Sequence, residues 1–462
     1  MKHKVDILNL EWATNSRDTN IVDPVLVSLH DRYGYSIKCS SVWYGLFKIL
    51  WYKPRILIMA NDIGAMENVK LFYFAKKLGI LTVSLISEGL QINAVDKQNQ
   101  RDMQSKFFWG NNEKQDRIWD LKLLWSKTTR GQFYEYVPNA KYFNLKVSGG
   151  TGFDRYKFLN YENRDMICKI KGKEYKKVIL LIGYSFDLFP LLPDKDLAGY
   201  DKSEVAWLYE QRKVVRKIYK DLISQNKDTL FILKHHPGSQ NLDDTEFSGL
   251  SEQFDNTIEI HREIEISILL GSSDIVIAFD STTCLEAWLL GKSTILVNPS
   301  GTEFARSSLY KGSVIVASEA ELSSAVSEYF STGKIKGFVD KKDERDKLIE
   351  EQIQYDDGFN YLRASKLIHD YIAHNSQNIE VRQILDKKII VEFYELVKHF
   401  LLEFTPIGYL KANSRNICKK RSAEYSTNDR KLSLKQYRRA ICKYEKINQS
   451  KVKRIVDHYN GE

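Results

Sequence analysis

Residues 274–298 read DIVIAFDSTTCLEAWLLGKSTILVN, and the architecture follows from this stretch. Asp274–Phe279 is an unbroken apolar run rich in β-branched residues, the pattern of a parallel strand covered on both faces. Gly291-Lys292 marks a turn, and Thr294–Asn298 (TILVN) is a second such run. The residues between them have the length of a short helix. Strand, helix and parallel strand in this order make a βαβ unit.

The same alternation extends toward the N-terminus. Val178–Gly183 (VILLIG), Thr229–Leu233 and Thr257–His261 predict strands, and Ser203–Asn226 predicts a long helix. An earlier series predicts strands at Val5–Leu10, Tyr35–Cys39, Arg55–Ala60, Leu81–Ile86 and Phe143–Ser148, with helices at Ile21–Asp31, Val42–Leu50 and Asp62–Leu78. The charged stretch Tyr161–Lys177 interrupts the pattern and is read as the linker. After Ala320 the chain turns helical through Glu319–Phe330 and Lys341–His374. The expected fold class is α/β: two Rossmann-like domains facing across a cleft, with a C-terminal helical extension. The expected segments are an acceptor domain 1–165, a nucleotide-sugar donor domain 175–335, a helical return segment 336–387, and an amphipathic, basic extension 388–462. Neither domain carries a GxGxxG fingerprint, which argues against a dinucleotide dehydrogenase.

Hydrophobic residues at 43% exclude a disordered chain. The sequence has no long uncharged apolar run and no secretory h-region, so a cytoplasmic protein is expected. Five cysteines without CxxC spacing indicate neither a zinc site nor a disulfide framework. The net charge of +9 is concentrated: residues 405–462 hold 15 Lys+Arg against 5 Asp+Glu. Together with the amphipathic run 388–404, this predicts peripheral attachment to an anionic membrane surface, on the inner face of the plasma membrane. Basic charge confined to a tail without a recognition motif argues against nucleic acid as a partner.

Three groups of residues could carry chemistry. Ser281, Thr282 and Thr283 stand where a strand gives way to a helix, a setting in which backbone N–H groups favour an anion, and Glu286 follows one helical turn later. Asp280 or Ser281 could equally be a plain helix cap. Lys234-His235-His236-Pro237-Gly238 follows the strand Thr229–Leu233, at the carboxyl edge where open α/β sheets bind ligands. Lys234 and His236 are its candidate phosphate ligands. Ser87-Glu88-Gly89 ends a strand of the first domain, where Glu88 could deprotonate an acceptor hydroxyl. Gly149, Gly150 and Asp154 could allow backbone to approach an acceptor or simply turn the chain. No DxD triplet ends an apolar strand, and Tyr355-Asp356-Asp357 is read in a helical, polar context, so no metal and no cofactor are expected.

Ser-Glu-Gly, then His-Pro, then a Ser/Thr cluster followed by Glu-Ala and Gly-Lys resembles bacterial capsule and surface-carbohydrate glycosyltransferases of GT-B architecture. The branch it looks like includes Kdo transferases and bacterial sialyltransferases, over roughly Val5 to Ile335. The resemblance implies transfer from a nucleotide-sugar, a CMP-linked one among the donors it allows, to a surface polysaccharide or lipid-linked glycan. It implies a catalytic role for Glu88, donor-phosphate contact by His236, and phosphate binding by Ser281, Thr282 and Thr283. Ser87 stands where the family's acidic pair has a second carboxylate. Three alternatives share the pattern: a CDP-polyol phosphotransferase of teichoic-acid type, a non-hydrolysing UDP-sugar 2-epimerase, and a non-catalytic membrane assembly subunit.

Overall fold

The structure, a computed structural model, describes residues 4–14, 16–60, 66–87, 118–137, 140–170, 172–187, 202–300, 308–375, 394, 397–398 and 425–461. Two compact units emerge. Among the described residues, one combines the N-terminal part up to Leu159 with the chain from Glu350 onward, and the other is Asn160–Ile349.

The first unit holds a six-stranded sheet of β1 (Ile7–Glu11), β2 (Ile37–Ser41), β3 (Ile56–Met59), β4 (Leu81–Leu85), β5 (Leu121–Leu124) and β6 (Leu145–Val147), in the order β2-β1-β3-β4-β5-β6. The second holds β7 (Lys177–Ile182), β8 (Thr229–Lys234), β9 (Thr257–Ile260), β10 (Ile275–Ala278), β11 (Ser293–Val297) and β12 (Val314–Val316), in the order β12-β11-β10-β7-β8-β9. Every pairing is parallel. The central strands β3, β7, β8 and β10 are almost wholly apolar and buried, which is why they read as continuous hydrophobic runs. In the second sheet the strand order reverses between β7 and β10, so the crevice outside their carboxyl ends is the topological switch point.

The segment expected as one helical stretch, Lys341–His374, is two helices, Lys342–Ile353 and Asn360–Asn375. Gln354 (φ 63°) and Gly358 (φ 74°) turn the chain between them. Tyr355-Asp356-Asp357 therefore lies in a connection and not in a helical context. Its carboxylates are used internally: Asp356 pairs with Lys157 at 2.8 Å, and Asp357 with Arg363 at 2.5 Å and Lys451 at 3.1 Å.

The C-terminal helical extension is built into the first unit. Helix Thr427–Ile447 packs on helix Arg17–Tyr33 and begins with a Ser426 cap on the Asp429 N–H. Arg430, 2% exposed, pairs with the fully buried Asp23 at 2.6 Å and donates to Asn9 Oδ1 at 2.9 Å. Ser433 donates to Asp23 at 2.6 Å, and Tyr437 to Asn20 at 2.9 Å. Part of the positive charge of the tail is thus spent inside the fold. Among the described residues no helix is long and apolar enough to cross a membrane. The amphipathic run 388–404 lies outside the described residues apart from Tyr394, Val397 and Lys398.

This buried cluster has a consequence for pH. Burial raises Asp23 to about 6 against the pull of Arg430, and raises Glu11 to about 8, with the charge of Asp18 adding to burial. A carboxyl with a folded pKa above its unfolded value holds its proton more tightly in the native state. Its stabilising contribution is full below an unfolded value of about 4 and is lost as pH rises through the folded value. The cluster is expected to cost the first unit stability as pH climbs from about 4 toward about 8. Urea unfolding of wild type and Glu11→Gln across that range checks this; the difference between them should shrink at the acid end, and a constant difference would refute it.

Candidate active site

The candidate residues of the second unit gather on three adjacent strands, β10, β7 and β8, at their carboxyl ends. Gly183 follows β7, and a Cβ there would lie 3.1 Å from the Lys234 carbonyl and 3.2 Å from the His236 nitrogen, so any larger residue would need the two strand ends to give by a few tenths of an ångström. Its own N–H donates to the Lys234 carbonyl at 2.8 Å.

The two histidines that follow β8 are placed differently. The His235 side chain is fully buried; its Nε2 meets Glu259 Oε1, and its ring packs on Phe247 with centroids 5.3 Å apart. Glu259 is held below the usual carboxylate range first by this bond and further by the Ser251 hydroxyl. His235 is thereby a tie between β8 and β9. His236 is half-buried, and the Gly238 N–H donates to its Nδ1 at 3.1 Å. An Nδ1 that accepts cannot carry the proton, so in the neutral ring the proton sits on Nε2. Burial lowers the His236 pKa, the charges of Lys234 and His261 add to this, and Asp187 opposes it. The ring is therefore neutral at pH 7 and offers one N–H donor.

Lys234 is 7% exposed, and its ammonium donates to the carbonyls of His235 (3.1 Å) and His261, with burial lowering its pKa. It holds the ends of β8 and β9 together. Arg262, exposed at the end of β9, donates through Nε to the Pro237 carbonyl at 3.1 Å.

Two acids in this region escaped the sequence reading. Asp187, 2% exposed, accepts from Ser239 Oγ (2.8 Å), Gln240 N (2.7 Å) and Asn241 N (3.1 Å), and so fixes the loop that carries His236. Glu246 is fully buried, accepts the Tyr184 N–H at 2.6 Å, and is raised by burial to about 8, so it is protonated at neutral pH. Tyr184 in turn packs edge-on against Phe186 and Phe279, joining the loops after β7 and β10. The available signal was positional: Gly183-Tyr184-Ser185-Phe186-Asp187 follows the first strand of the second unit, which borders a switch point.

After β10, the helix Thr283–Leu289 starts without a side-chain bond from its cap residue, Thr282. Ser281 Oγ instead accepts the Thr283 N–H at 3.1 Å. The Ser281 hydroxyl is thus committed to the helix start, whereas the hydroxyls of exposed Thr282 and half-buried Thr283 have no hydrogen-bond partner among the described residues. Glu286 is half-buried on the same short helix.

In the first unit, Glu88 and Gly89 lie outside the described residues. Gly149 (φ 86°) and Gly150 face protein: a Cβ would fall 1.9 Å from Asn360 Oδ1 at Gly149 and 2.8 Å from Ile353 at Gly150. Asp154 is buried, accepts the Tyr361 N–H at 2.6 Å, and is held well above the usual carboxylate range by burial. What these three residues approach is the returning segment Ile353–Tyr361.

No family model matches the chain, and no curated protein matches it by sequence. Solved structures match by shape. The S. aureus MnaA–UDP co-structure superposes with a TM-score of 0.52 at 12% identity, over 80% of this chain and 97% of that one. UDP-GlcNAc 2-epimerase from Neisseria meningitidis bound to UDP-GlcNAc gives 0.50 at 12% identity, over 80% and 100%. The wall teichoic acid polymerase TagF gives 0.50 at 14% identity, over 82% and 91%. The fold is GT-B.

Proposed function

We propose that this GT-B protein is a metal-independent glycosyltransferase that takes a sugar from a nucleotide-linked donor bound at the carboxyl edge of β10, β7 and β8. The observation that carries the reading is the state of His236: neutral, with Nδ1 occupied by Gly238 N–H and Nε2–H left as donor. A donor fixed before substrate arrives can stabilise charge growing on a leaving phosphate without reorganisation. Thr282 and Thr283 supply two further hydroxyl donors, and Arg262 and Lys234 a positive field. The acceptor is a bacterial surface polysaccharide or lipid-linked glycan, with Glu88 as base, and residues 388–462 bring the protein to the inner face of the membrane. UDP and UDP-GlcNAc in similarly folded proteins favour a nucleotide-sugar as the donor class.

The test is nucleotide binding by calorimetry across CMP-, CDP-, UDP-, GDP- and dTDP-compounds. Thr282→Val with Thr283→Val is expected to weaken binding of the preferred nucleotide about tenfold while melting as wild type does. Unchanged affinity would remove the placement. The same structural likeness favours one second reading, epimerisation of a UDP-sugar; conversion of the sugar in the absence of any acceptor would establish it in place of transfer.

A further inference from the structure

A cavity of about 450 Å³ lies in the first unit, walled by helix Arg17–Tyr33, β2, helix Gly45–Tyr52 and helix Thr427–Ile447. Four chain segments that are far apart in sequence bring His30, Lys38, Lys48, Arg430, Lys431 and Arg438 to its walls, and among the described residues no Asp or Glu lines it. Lys38 and Lys431 are exposed and have no ion-pair partner among the described residues. The Lys48 ammonium sits 5.6 Å from the Tyr52 ring centroid. Arg438 shares its charge with Asp31 at 2.8 Å, and Arg430 with Asp23 at 2.6 Å, but both carboxylates stand outside the cavity. Among the described residues β2 is the end strand of its sheet, paired with β1 alone.

Like charges held around one space repel, and the repulsion grows where protein displaces water. With Arg430 and Arg438 paired to Asp23 and Asp31, the lysines Lys38, Lys48 and Lys431 and the His30 imidazole line the space with no acid among the described lining residues, an arrangement that an anion relieves. The volume falls within the ~300–1,000 Å³ of small-ligand sites. Lysines and arginines at several points, together with the phenol ring of Tyr52, fit a compact, multiply charged group better than a single carboxylate.

We propose that this cavity is a binding site for diphosphate-bearing ligands, separate from the nucleotide site proposed for the second unit. It would seat the diphosphate of a soluble ester or of a lipid-linked one, the shared chemistry being two adjacent phosphates. The presence of Arg430, Lys431 and Arg438 means that the C-terminal helix completes the site.

Calorimetric titration of the full-length protein with inorganic pyrophosphate tests this. Saturable binding that weakens as salt rises is expected. Lys38→Gln with Lys431→Gln, both at exposed positions, should lower affinity about tenfold or more with melting unchanged. The Thr282→Val, Thr283→Val variant should bind pyrophosphate at this site as wild type does, which separates failure here from failure of the donor reading. Absence of saturable binding, or equal affinity after loss of both lysines, overturns the proposal. Vesicles of phosphatidylglycerol provide the second arm: binding that needs Lys38 and Lys431 but that pyrophosphate neither mimics nor displaces would make this a membrane-contact surface and also overturn it.

Discussion

His236→Ala is expected to lower sugar transfer by about 10²-fold or more, the range seen when one preorganised donor to a developing negative charge is removed. The loss should fall on turnover and not on folding, because His236 is half-buried and its side chain's one hydrogen bond among the described residues is from the Gly238 N–H, while the bond from Ser239 N–H to its carbonyl survives the change. His235→Ala should do the reverse. Its ring fills a buried site beside Phe247 and meets Glu259, so removal is expected to cost roughly 2–4 kcal/mol of stability through a cavity and a lost partner. The residual folded fraction should turn over near the wild-type rate. Paired measurements of kcat and urea stability check both, and a His236 variant with normal turnover would remove the residue from the mechanism. His236→Gln, whose amide N–H reaches about as far as the ring Nε2–H, should recover part of the rate.

The largest expected effect on stability belongs to Arg430. Replacing it by alanine leaves Asp23 buried without its counter-ion and removes the bond to Asn9, a loss of roughly 3–5 kcal/mol for a buried pair broken on one side. Urea unfolding followed by tryptophan emission reads this well, because six of the eight tryptophans lie in the N-terminal part of the chain. Replacing both partners, Asp23→Leu with Arg430→Met, should recover most of the loss, since the desolvation cost of both charges disappears together. If the single and double variants unfold alike, the pair is not what holds the helix in place. This also bears on the expected membrane attachment of residues 388–462. A chain cut at Lys387 loses a structural helix of the first unit, so point changes in exposed basic residues are the cleaner test of lipid binding.

The two-sheet architecture was legible because strands such as Val178–Ile182, Thr229–Lys234 and Ile275–Ala278 are buried on both faces and leave unbroken apolar runs. β5 was not. Its sequence, LKLL, carries a lysine in mid-strand that is 1% exposed, placed 5.2 Å from the Trp119 ring and donating to Ser84 at 3.3 Å. A buried cation solved by local partners looks like a surface residue in a sequence. β12, of three residues, is too short to show a pattern. The His-Pro and Ser/Thr segments were visible as motifs, but which histidine is committed to the core and which hydroxyl is committed to the helix start depend on Glu259, Gly238 and the Thr283 N–H. Asp187 and Glu246 went unread for a related reason: position beside the switch point marks the segment of Asp187, but each acid's role is defined by partners on other elements.

The order in which the pieces of the first unit leave the ribosome matters as much as their final packing. Among the described residues the second unit, Asn160–Ile349, is one continuous stretch of chain, whereas the first must wait for the chain beyond Glu350. At synthesis rates of about 5–20 residues per second, Asp23 is made on the order of tens of seconds before Arg430 emerges. During that interval the N-terminal sheet lacks the helix that neutralises its buried acid, and its neighbour is already able to fold. The protein is therefore expected to mature inside out, middle first and ends together. A premature stop near the C-terminus would release a molecule with one finished domain and one that cannot close.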